Sequence, residues 1–156
     1  MIEIEVPGGK HFELHFLVSD YNGTLAVDGH LCPGVRSPLL SLARLLEIHI
    51  VTADTFGCVR AELGEGPWHI TVLPSGAQDR AKRRYLRRLG APRAVTLGNG
   101  RNDRLMLGAA ALSVGVLSAE GAHPRSLTAV DVVVPGPCEA LELLLNPRRL
   151  TATLRR

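Results

Sequence analysis

The sequence has few cysteines and no long apolar run. The three cysteines are an odd number, widely spaced and without a C-x-x-C pair, so no disulfide framework is expected. A reduced, cytoplasmic protein is therefore predicted. The longest unbroken apolar stretch, around residues 109–117, is far shorter than a membrane span, and no signal peptide is recognised at the start. These features predict a soluble protein.

Aromatic residues are scarce, and neither zinc ligands nor a nucleic-acid surface is indicated. The six histidines are scattered, and His30 beside Cys32 is too small a group to indicate a zinc site. The net charge is only +3, although arginines are concentrated at residues 80–88 and 148–156. Both segments have the charge to bind polyanions. With so few aromatic residues, a solvated helix face and a frayed or partner-packed terminus are the favoured interpretations, and nucleic-acid binding is not expected.

Three common motifs are missing. The segment LGNGRND has glycines at positions 98 and 100, but Asp103 stands where a G-x-G-x-x-G fingerprint requires glycine, which disfavours a nicotinamide cofactor. Neither the P-loop pattern G-x-x-x-x-G-K-[ST] nor the nucleophile elbow G-x-S-x-G occurs. A P-loop nucleotidase and an elbow-type serine hydrolase are therefore excluded.

The sequence does contain a regular alternation of strand and helix. An opening hairpin is predicted from residues 2–6 and 12–19. Further strands are predicted at residues 48–52, 68–73, 94–97, 112–117 and 132–134. Helices are predicted at residues 38–46, 55–63, 78–89, 103–110, 124–129 and 139–145. Because these strands are continuous apolar runs, they indicate a mainly parallel sheet covered on both faces, in one α/β domain over residues 1–156.

Polar residues follow several of the predicted strands. In a parallel sheet the loops after the strands meet at one edge, where ligands bind. The candidates there are Asp20, Tyr21, Asn22, Thr52, Asp54, residues 75–82, Asn99, Asn102 and Asp103. Each is weak alone: Thr52 or Asp54 is also a typical N-cap for a helix beginning near residue 55. Likewise Asn22-Gly23, in FLVSDYNGTLAVDG, is typical of a hairpin turn. A hairpin turn does not explain why an aspartate, Asp20, directly follows the apolar run.

Taken together, these segments resemble the motifs of the haloacid dehalogenase superfamily of phosphohydrolases. DYNGTLAVDG, from residue 20, resembles the first motif, D-x-D-G-T-L, and VTAD supplies a second-motif hydroxyl at Thr52. Lys82 resembles the third motif, and GNGRNDRLML, from residue 98, resembles the fourth. The order and spacing match from about residue 12 to 145. Within the superfamily the sequence is most similar to small soluble proteins likened to the phosphorylation domain of P-type ATPases, whose motifs read D-K-T-G-T-L and G-D-G-x-N-D.

The resemblance implies a three-layer Rossmann-like core and a Mg²⁺-dependent phosphohydrolase. Asp20 would attack a phosphoryl group, and water would hydrolyse the resulting aspartyl phosphate. The implied catalytic residues are Asp20, Asn22, Thr52 and Lys82. The implied phosphate-binding residues are Thr52, Ala53, Lys82 and Asn102. The implied Mg²⁺ ligands are Asp20, Asn22, Asn99 and Asp103.

Two positions depart from the phosphatase pattern, and both have asparagine in place of aspartate. Asn22 stands where the phosphatases have their general acid and base, a loss of roughly 10²- to 10⁴-fold in rate. Asn99 stands in place of a carboxylate near the metal, which implies weaker Mg²⁺ binding. The resemblance therefore predicts a slow enzyme, and leaves open a phosphate-binding or phosphoryl-accepting module with negligible turnover.

The spacing of the motifs leaves no room for a cap domain. The stretches from Asp20 to Thr52 and from Thr52 to Lys82 are both too short to hold one, so a capless protein with an open site is expected. Capless relatives act on large substrates or borrow a cap from a neighbouring subunit. The expected partners are a phosphorylated substrate, small or macromolecular, and further copies of the chain in a dimer or tetramer.

Overall fold

The computed structural model describes residues 1–155 and contains ten strands in that range. They are β1 Ile2–Glu5, β2 His11–Leu14, β3 Phe16–Ser19, β4 Ala26–Val27, β5 His30–Leu31, β6 Glu47–Thr52, β7 Trp68–Val72, β8 Ala94–Gly98, β9 Leu112–Val116 and β10 Val132–Val134. The α-helices are α1 Arg36–Leu42, α2 Val59–Leu63, α3 Gln78–Leu89, α4 Arg104–Leu107, α5 Pro124–Leu127, α6 Pro137–Leu145 and α7 Pro147–Leu154. Short 3₁₀ turns cover Ala91–Arg93 and Arg101–Asp103.

Six strands form a parallel central sheet in the order β10-β9-β8-β3-β6-β7. Strands β8 and β9 are buried along their whole length, as expected for strands covered on both faces. Apolar clusters lie on both sides of the sheet. One contains Leu39 of α1 and Leu141 of α6, and the other contains Leu86 of α3 and Met106 of α4. The predicted Rossmann-like α/β fold with a mainly parallel sheet is confirmed.

The prediction of one strand over residues 12–19 is wrong. The segment divides at His15: β2 pairs antiparallel with β1 in the predicted opening hairpin, whereas β3 enters the central sheet. At the division the amide of His15 donates to the carbonyl of Arg93 at 2.8 Å. Burial alternates along β2 but is nearly continuous along β3, so the change of period marks the change of sheet.

The hairpin turn in the first motif is not at Asn22-Gly23. Strands β4 and β5 form a short antiparallel ribbon whose tip is Asp28-Gly29, with φ of +52° and +82°. Several contacts hold the ribbon. Among them, the hydroxyl of Tyr21 donates to the carbonyl of Gly29 at 3.1 Å, and Glu62 of α2 accepts from the amide of Leu31 at 2.9 Å. The loop that follows Asp20 is thus separate from the turn.

Several predicted helices are shorter in the structure. The helix predicted at residues 55–63 begins only at Val59, because Asp54 and Gly57 have positive φ values of +48° and +67° that a helix does not allow. The helix predicted at residues 103–110 is α4, preceded by a 3₁₀ turn.

The basic tail forms a further helix through residue 154, and Arg156 lies outside the described residues. This helix, α7, packs on β1 of the opening hairpin. Leu150 is fully buried in that contact, and the hydroxyl of Thr151 donates to the carbonyl of Glu5 at 3.2 Å. Pro147 occupies the first turn, where its missing N–H costs nothing.

The single tryptophan lies on β7 at one edge of the sheet. The indole of Trp68 is mostly buried and donates from Nε1 to the carbonyl of Gly64 at 3.3 Å. The guanidinium of Arg36 lies 5.6 Å from the ring centre. Among residues 1–155, no helix combines the length and the apolar character needed to span a membrane.

Candidate functional site

A buried lysine joins two carboxylates at the carboxyl end of the central sheet. Asp20 follows β3, Asp103 ends the 3₁₀ turn after β8, and Lys82 projects from α3. The Lys82 Nζ donates to Oδ1 of Asp20 and to Oδ1 of Asp103, both at 2.7 Å. Side chains from three distant parts of the sequence therefore converge on one ammonium group. We refer to Asp20, Lys82 and Asp103 as the ionic triad.

The triad carries a net charge of −1 when all three groups are ionised. Burial raises the pKa of Asp20 to about 6; the nearby Asp103 carboxylate acts in the same direction, and Lys82 opposes both. Burial alone lowers the pKa of Lys82, but the carboxylates of Asp20 and Asp103 outweigh this effect and hold the pKa above its usual range. The lysine therefore stays charged, and the excess negative charge favours a cation nearby.

Only one member of the triad reaches the surface. The side chain of Asp20 is 8% exposed, whereas those of Lys82 and Asp103 are 0% exposed. The backbone fixes Asp20 in place, since its amide donates to the carbonyl of Leu97 at 3.1 Å. A group arriving from solvent meets Asp20 first, with the ammonium of Lys82 directly behind it.

Asp103 supports the loop after β8 as well as the lysine. Its Oδ2 accepts from the backbone amides of Asn99 and Gly100, at 3.0 and 2.8 Å, while Oδ1 accepts from Lys82. The loop packs closely here, because a Cβ at Gly98 would lie 2.7 Å from the Cβ of Asp103. Both oxygens of Asp103 thus have protein donors.

The side chain of Asn99 is also fully engaged. Its Oδ1 accepts from the hydroxyl of Thr24 at 3.2 Å, and its Nδ2 donates to the carbonyl of Gly121 at 2.9 Å. An amide suits this position because it accepts on one side and donates on the other. A carboxylate would face the carbonyl of Gly121 without a proton between the two oxygens. The asparagine at this position therefore matches its surroundings.

The side chain of Asn22, in contrast to that of Asn99, makes no hydrogen bond within the described residues. Its Oδ1 and Nδ2 are both buried, and neither has a hydrogen-bond partner among the described residues. A buried polar atom without a partner costs about 1–3 kcal/mol, so such atoms commonly mark a ligand site. Asn22 lies two residues after Asp20, whose Oδ2 is the oxygen that Lys82 leaves free. These two oxygens are hard donors of the kind that Mg²⁺ takes, whereas those of Asn99 and Asp103 already accept hydrogen bonds.

The remaining predicted residues lie around the triad without joining it. The hydroxyl oxygen of Thr52, at the end of β6, accepts from the amide of Asp54 at 3.0 Å, and Ala53 follows it, partly exposed. Asp54 accepts from two amides at the start of α2, both at 3.1 Å, in agreement with a capping role. Asn102 donates to Oε1 of Gln78 at 3.2 Å. The catalytic, phosphate and metal roles predicted for all these residues stay predictions.

Solved structures with the same fold include two sugar-acid phosphate phosphatases. The 3-deoxy-D-manno-octulosonate 8-phosphate phosphatase of Moraxella catarrhalis, solved with magnesium, phosphate and the sugar acid, has a TM-score of 0.67 and 15% identity, over 89% of this chain and 90% of that one. The cobalt-bound enzyme of Haemophilus influenzae has a TM-score of 0.62 and 14% identity, over 91% and 90%. A protein of Streptomyces avermitilis assigned to the HAD hydrolases has a TM-score of 0.69 and 20% identity, over 92% and 87%.

Comparison of the sequence alone covers less of the chain than comparison of the structure does. No family model matches the sequence. A relative of uncharacterized function from Methanocaldococcus jannaschii is 44% identical over 61 residues, which are 39% of this chain and 66% of that protein. The match therefore spans just under two thirds of the relative.

The chain has the fold of the haloacid dehalogenase (HAD) hydrolases. At these levels of identity the structural neighbours establish the fold, in agreement with the resemblance seen in the motifs. Similarity to the P-type-ATPase-like subgroup stays a prediction.

Proposed function

We propose that the protein is a phosphohydrolase that acts on phosphate monoesters through Asp20. The observation that carries this proposal is the pair of 2.7 Å contacts from Lys82 to Asp20 and Asp103. These contacts unite three of the four motifs that resemble the phosphatases, at the sheet edge where such folds bind ligands. The phosphatase neighbours support the same reaction class.

The exposure of Asp20 at the surface of the triad supports the following reaction. Asp20 attacks phosphorus with its carboxylate oxygen, the bond from phosphorus to the ester oxygen breaks, and the released oxygen takes a proton from water to give the alcohol. A water molecule then attacks the aspartyl phosphate, which returns the carboxylate and releases inorganic phosphate. Lys82 lies within 2.7 Å of the nucleophile and offsets the repulsion between an anionic carboxylate and an anionic substrate.

Mg²⁺ is the proposed cofactor, and the structure supports a small set of ligands for it. The free oxygen of Asp20 and Oδ1 of Asn22 would hold the ion, with substrate and waters completing its shell, as is common for Mg²⁺. The ion would supply positive charge beside the transferred phosphoryl group. Because only one oxygen of the Asp20 carboxylate is left free by Lys82, we expect weak binding, tightened by substrate.

Slow turnover is proposed because position 22 has no titratable group. An amide neither protonates the leaving group nor takes a proton from water. The same property favours the alternative function, a phosphoryl acceptor in which the aspartyl phosphate on Asp20 persists. Cytoplasmic location and assembly into a dimer or tetramer stay predictions.

The test compares two substrates that differ in their need for an acid. Hydrolysis of p-nitrophenyl phosphate and glycerol phosphate is measured with Mg²⁺ for the wild type, Asp20→Asn and Asn22→Asp. We expect Asp20→Asn to abolish both activities. We expect Asn22→Asp to raise glycerol phosphate turnover by about 10²- to 10⁴-fold, and p-nitrophenyl phosphate turnover by less, because nitrophenolate leaves without a proton.

Asp54→Asn is the matched control, since Asp54 is another carboxylate at the same edge and only caps α2. It should retain wild-type activity. If radiolabelled acetyl phosphate leaves an acid-stable, hydroxylamine-sensitive label on Asp20 without turnover, the acceptor function is correct instead. Full activity in Asp20→Asn would contradict both functions.

A further inference from the structure

A second group of ligand-type side chains lies on the sheet away from the triad. Glu47 and His49 project from the same face of β6, two residues apart, and His69 is the register partner of His49 on the neighbouring strand β7. One carboxylate oxygen and one ring nitrogen from each histidine all lie within 4.8 Å of one another. We call Glu47, His49 and His69 the histidine cluster.

The two imidazoles converge on a single carboxylate oxygen. Nε2 of His49 lies 3.1 Å from Oε1 of Glu47, and Nε2 of His69 lies 3.3 Å from the same atom. The rings are stacked with centroids 4.8 Å apart. Nε2 of His49 is buried and, despite its distance of 3.1 Å from Glu47, lacks a well-aligned hydrogen bond among the described residues. A buried ring nitrogen without a well-aligned partner therefore lies within 4.8 Å of ligand atoms from the other two side chains.

The other ring nitrogen of His49, Nδ1, contacts a side chain of α3. Its Nδ1 lies 2.7 Å from the hydroxyl of Tyr85 on α3, and the ring of Phe16 meets it edge to face with centroids 6.2 Å apart. The side chain of His49 is only 6% exposed. When Nδ1–H donates to a neighbouring oxygen, the lone pair of Nε2 is free to bind a metal, and such a contact fixes the ring of a metal-binding histidine.

We propose that the histidine cluster binds a divalent transition-metal ion of the zinc class. Two imidazoles and one carboxylate are ligands that suit Zn²⁺, and three protein ligands leave one position for water. Tetrahedral zinc holds such ligand atoms about 3.3 Å apart, closer than the widest separation in the cluster. The exposed side chains of Glu47 and His69 need only rotate toward the fixed His49. The bound ion would link β6 to the edge strand β7.

This site is separate from the proposed catalytic edge. Glu47 is the first residue of β6 and Thr52 is the last, so His49 lies roughly 10 Å before the catalytic end of the strand at about 3.3 Å per residue. The site is hard to recognise in the sequence, because the ligands are separated by twenty residues or lie two apart on a strand. The pairing of β6 with β7 brings them together.

Titration of the EDTA-treated protein with Zn²⁺ alone tests the proposal. Calorimetry of the wild type should show one site that is lost, or weakened by more than about 100-fold, in His69→Ala and Glu47→Gln. Both side chains are exposed, so these variants should fold. Tyr85→Phe should weaken binding by about 10- to 100-fold. Titration with Co²⁺ should give the visible absorption of a tetrahedral site in the wild type, and this absorption should be lost in His69→Ala and Glu47→Gln.

His11→Ala is the matched control. His11 also lies beside two glutamates, 2.7 Å from Glu5 and 3.7 Å from Glu13, but within residues 1–155 no second histidine forms a ligand group with it. The control should bind Zn²⁺ as the wild type does. Failure of the wild type to bind Zn²⁺ overturns the proposal. Equal binding by the wild type and His69→Ala also overturns it, because the ion would then sit elsewhere, for example on a cysteine.

Discussion

Asp20, the proposed nucleophile, carries a cost to the stability of the folded chain. Its pKa of about 6 is raised chiefly by burial and by Asp103, above the value of about 4 expected for the unfolded chain. A carboxyl group with a raised pKa contributes stability that is fully present below the unfolded value and is lost as the pH rises through the folded value. The ionised Asp20 carboxylate therefore destabilises the fold at neutral pH.

Replacing Asp20 by asparagine should stabilise the protein at neutral pH. The amide resembles the protonated carboxyl group and leaves Lys82 paired with Asp103, so Asp20→Asn should gain on the order of 1–3 kcal/mol at pH 7.5. At pH 4.5 the wild type is largely protonated at Asp20, and the gain should shrink. Thermal unfolding in EDTA at both pH values measures this, with Asp54→Asn as the control. A variant less stable than the wild type at pH 7.5 would contradict the prediction.

The sequence predicts the residues of the triad better than their surroundings. Asp20 and Asp103 follow neighbouring parallel strands, so topology alone brings them to one edge, and a lysine on the intervening helix lies within reach of both. The partners of Asn99 depend on the path of the chain near Gly121, and the isolation of the Asn22 amide depends on how its loop packs. No sequence pattern predicts either one. Nor does any pattern predict the histidine cluster, because its members meet only across paired strands.

At the scale of elements, the loop from Asp20 to Leu25 is fixed by its contact with the loop after β8. Within the loop, the amide of Gly23 donates to the carbonyl of Ala26 at 2.7 Å. Gly23 has a φ of +76°, and a Cβ placed there would lie 2.3 Å from Nδ2 of Asn99. Glycine is required here for both its backbone conformation and its small size.

Two glycine substitutions separate these requirements. Gly8, in the turn of the opening hairpin, has a similar φ of +69°, but a Cβ added to it would have no atom within 4 Å. Gly8→Ala should cost about 1 kcal/mol through backbone conformation alone. Gly23→Ala should cost about 1–3 kcal/mol more through overpacking, and should lower the proposed phosphatase activity. Denaturant unfolding measures the free energy of unfolding of both variants. Equal losses of stability would contradict the prediction, because the side chain of Asn99 would then move aside without cost.

Element types follow from the sequence wherever burial has a clear period. The helix at Gln78–Leu89 and the strand at Val132–Val134 have the predicted bounds. Errors occur where backbone conformation decides, as at Asp54 and Gly57, or where one apolar segment serves two sheets, as at His15. The change from alternating to continuous apolar residues at that point is visible in the sequence, and a shorter window would detect it.

At the scale of the whole molecule, α7 and the opening hairpin join the two ends of the chain. Leu150 of α7 is fully buried in the apolar cluster that also contains Ile2 and Ile4 of β1. Leu150→Ala should lower the free energy of unfolding by about 2–5 kcal/mol through the cavity it leaves. Arg149→Ala, an exposed neighbour on the same helix, should change it by less than about 0.5 kcal/mol. Urea unfolding of both variants tests this. If Leu150→Ala lowers the free energy of unfolding as little as Arg149→Ala does, α7 adds little to the core.

The position of the single tryptophan has a practical consequence. Trp68 lies on the edge strand β7, beside Arg36, and far along the sheet from β9 and β10. Tryptophan fluorescence therefore reports on one edge of the central sheet, and it changes when β7 separates from β6. Circular dichroism averages over every element. If the edge of the sheet unfolds first, the fluorescence transition occurs at a lower temperature than the circular dichroism transition. If the molecule unfolds in one step, the two transitions coincide.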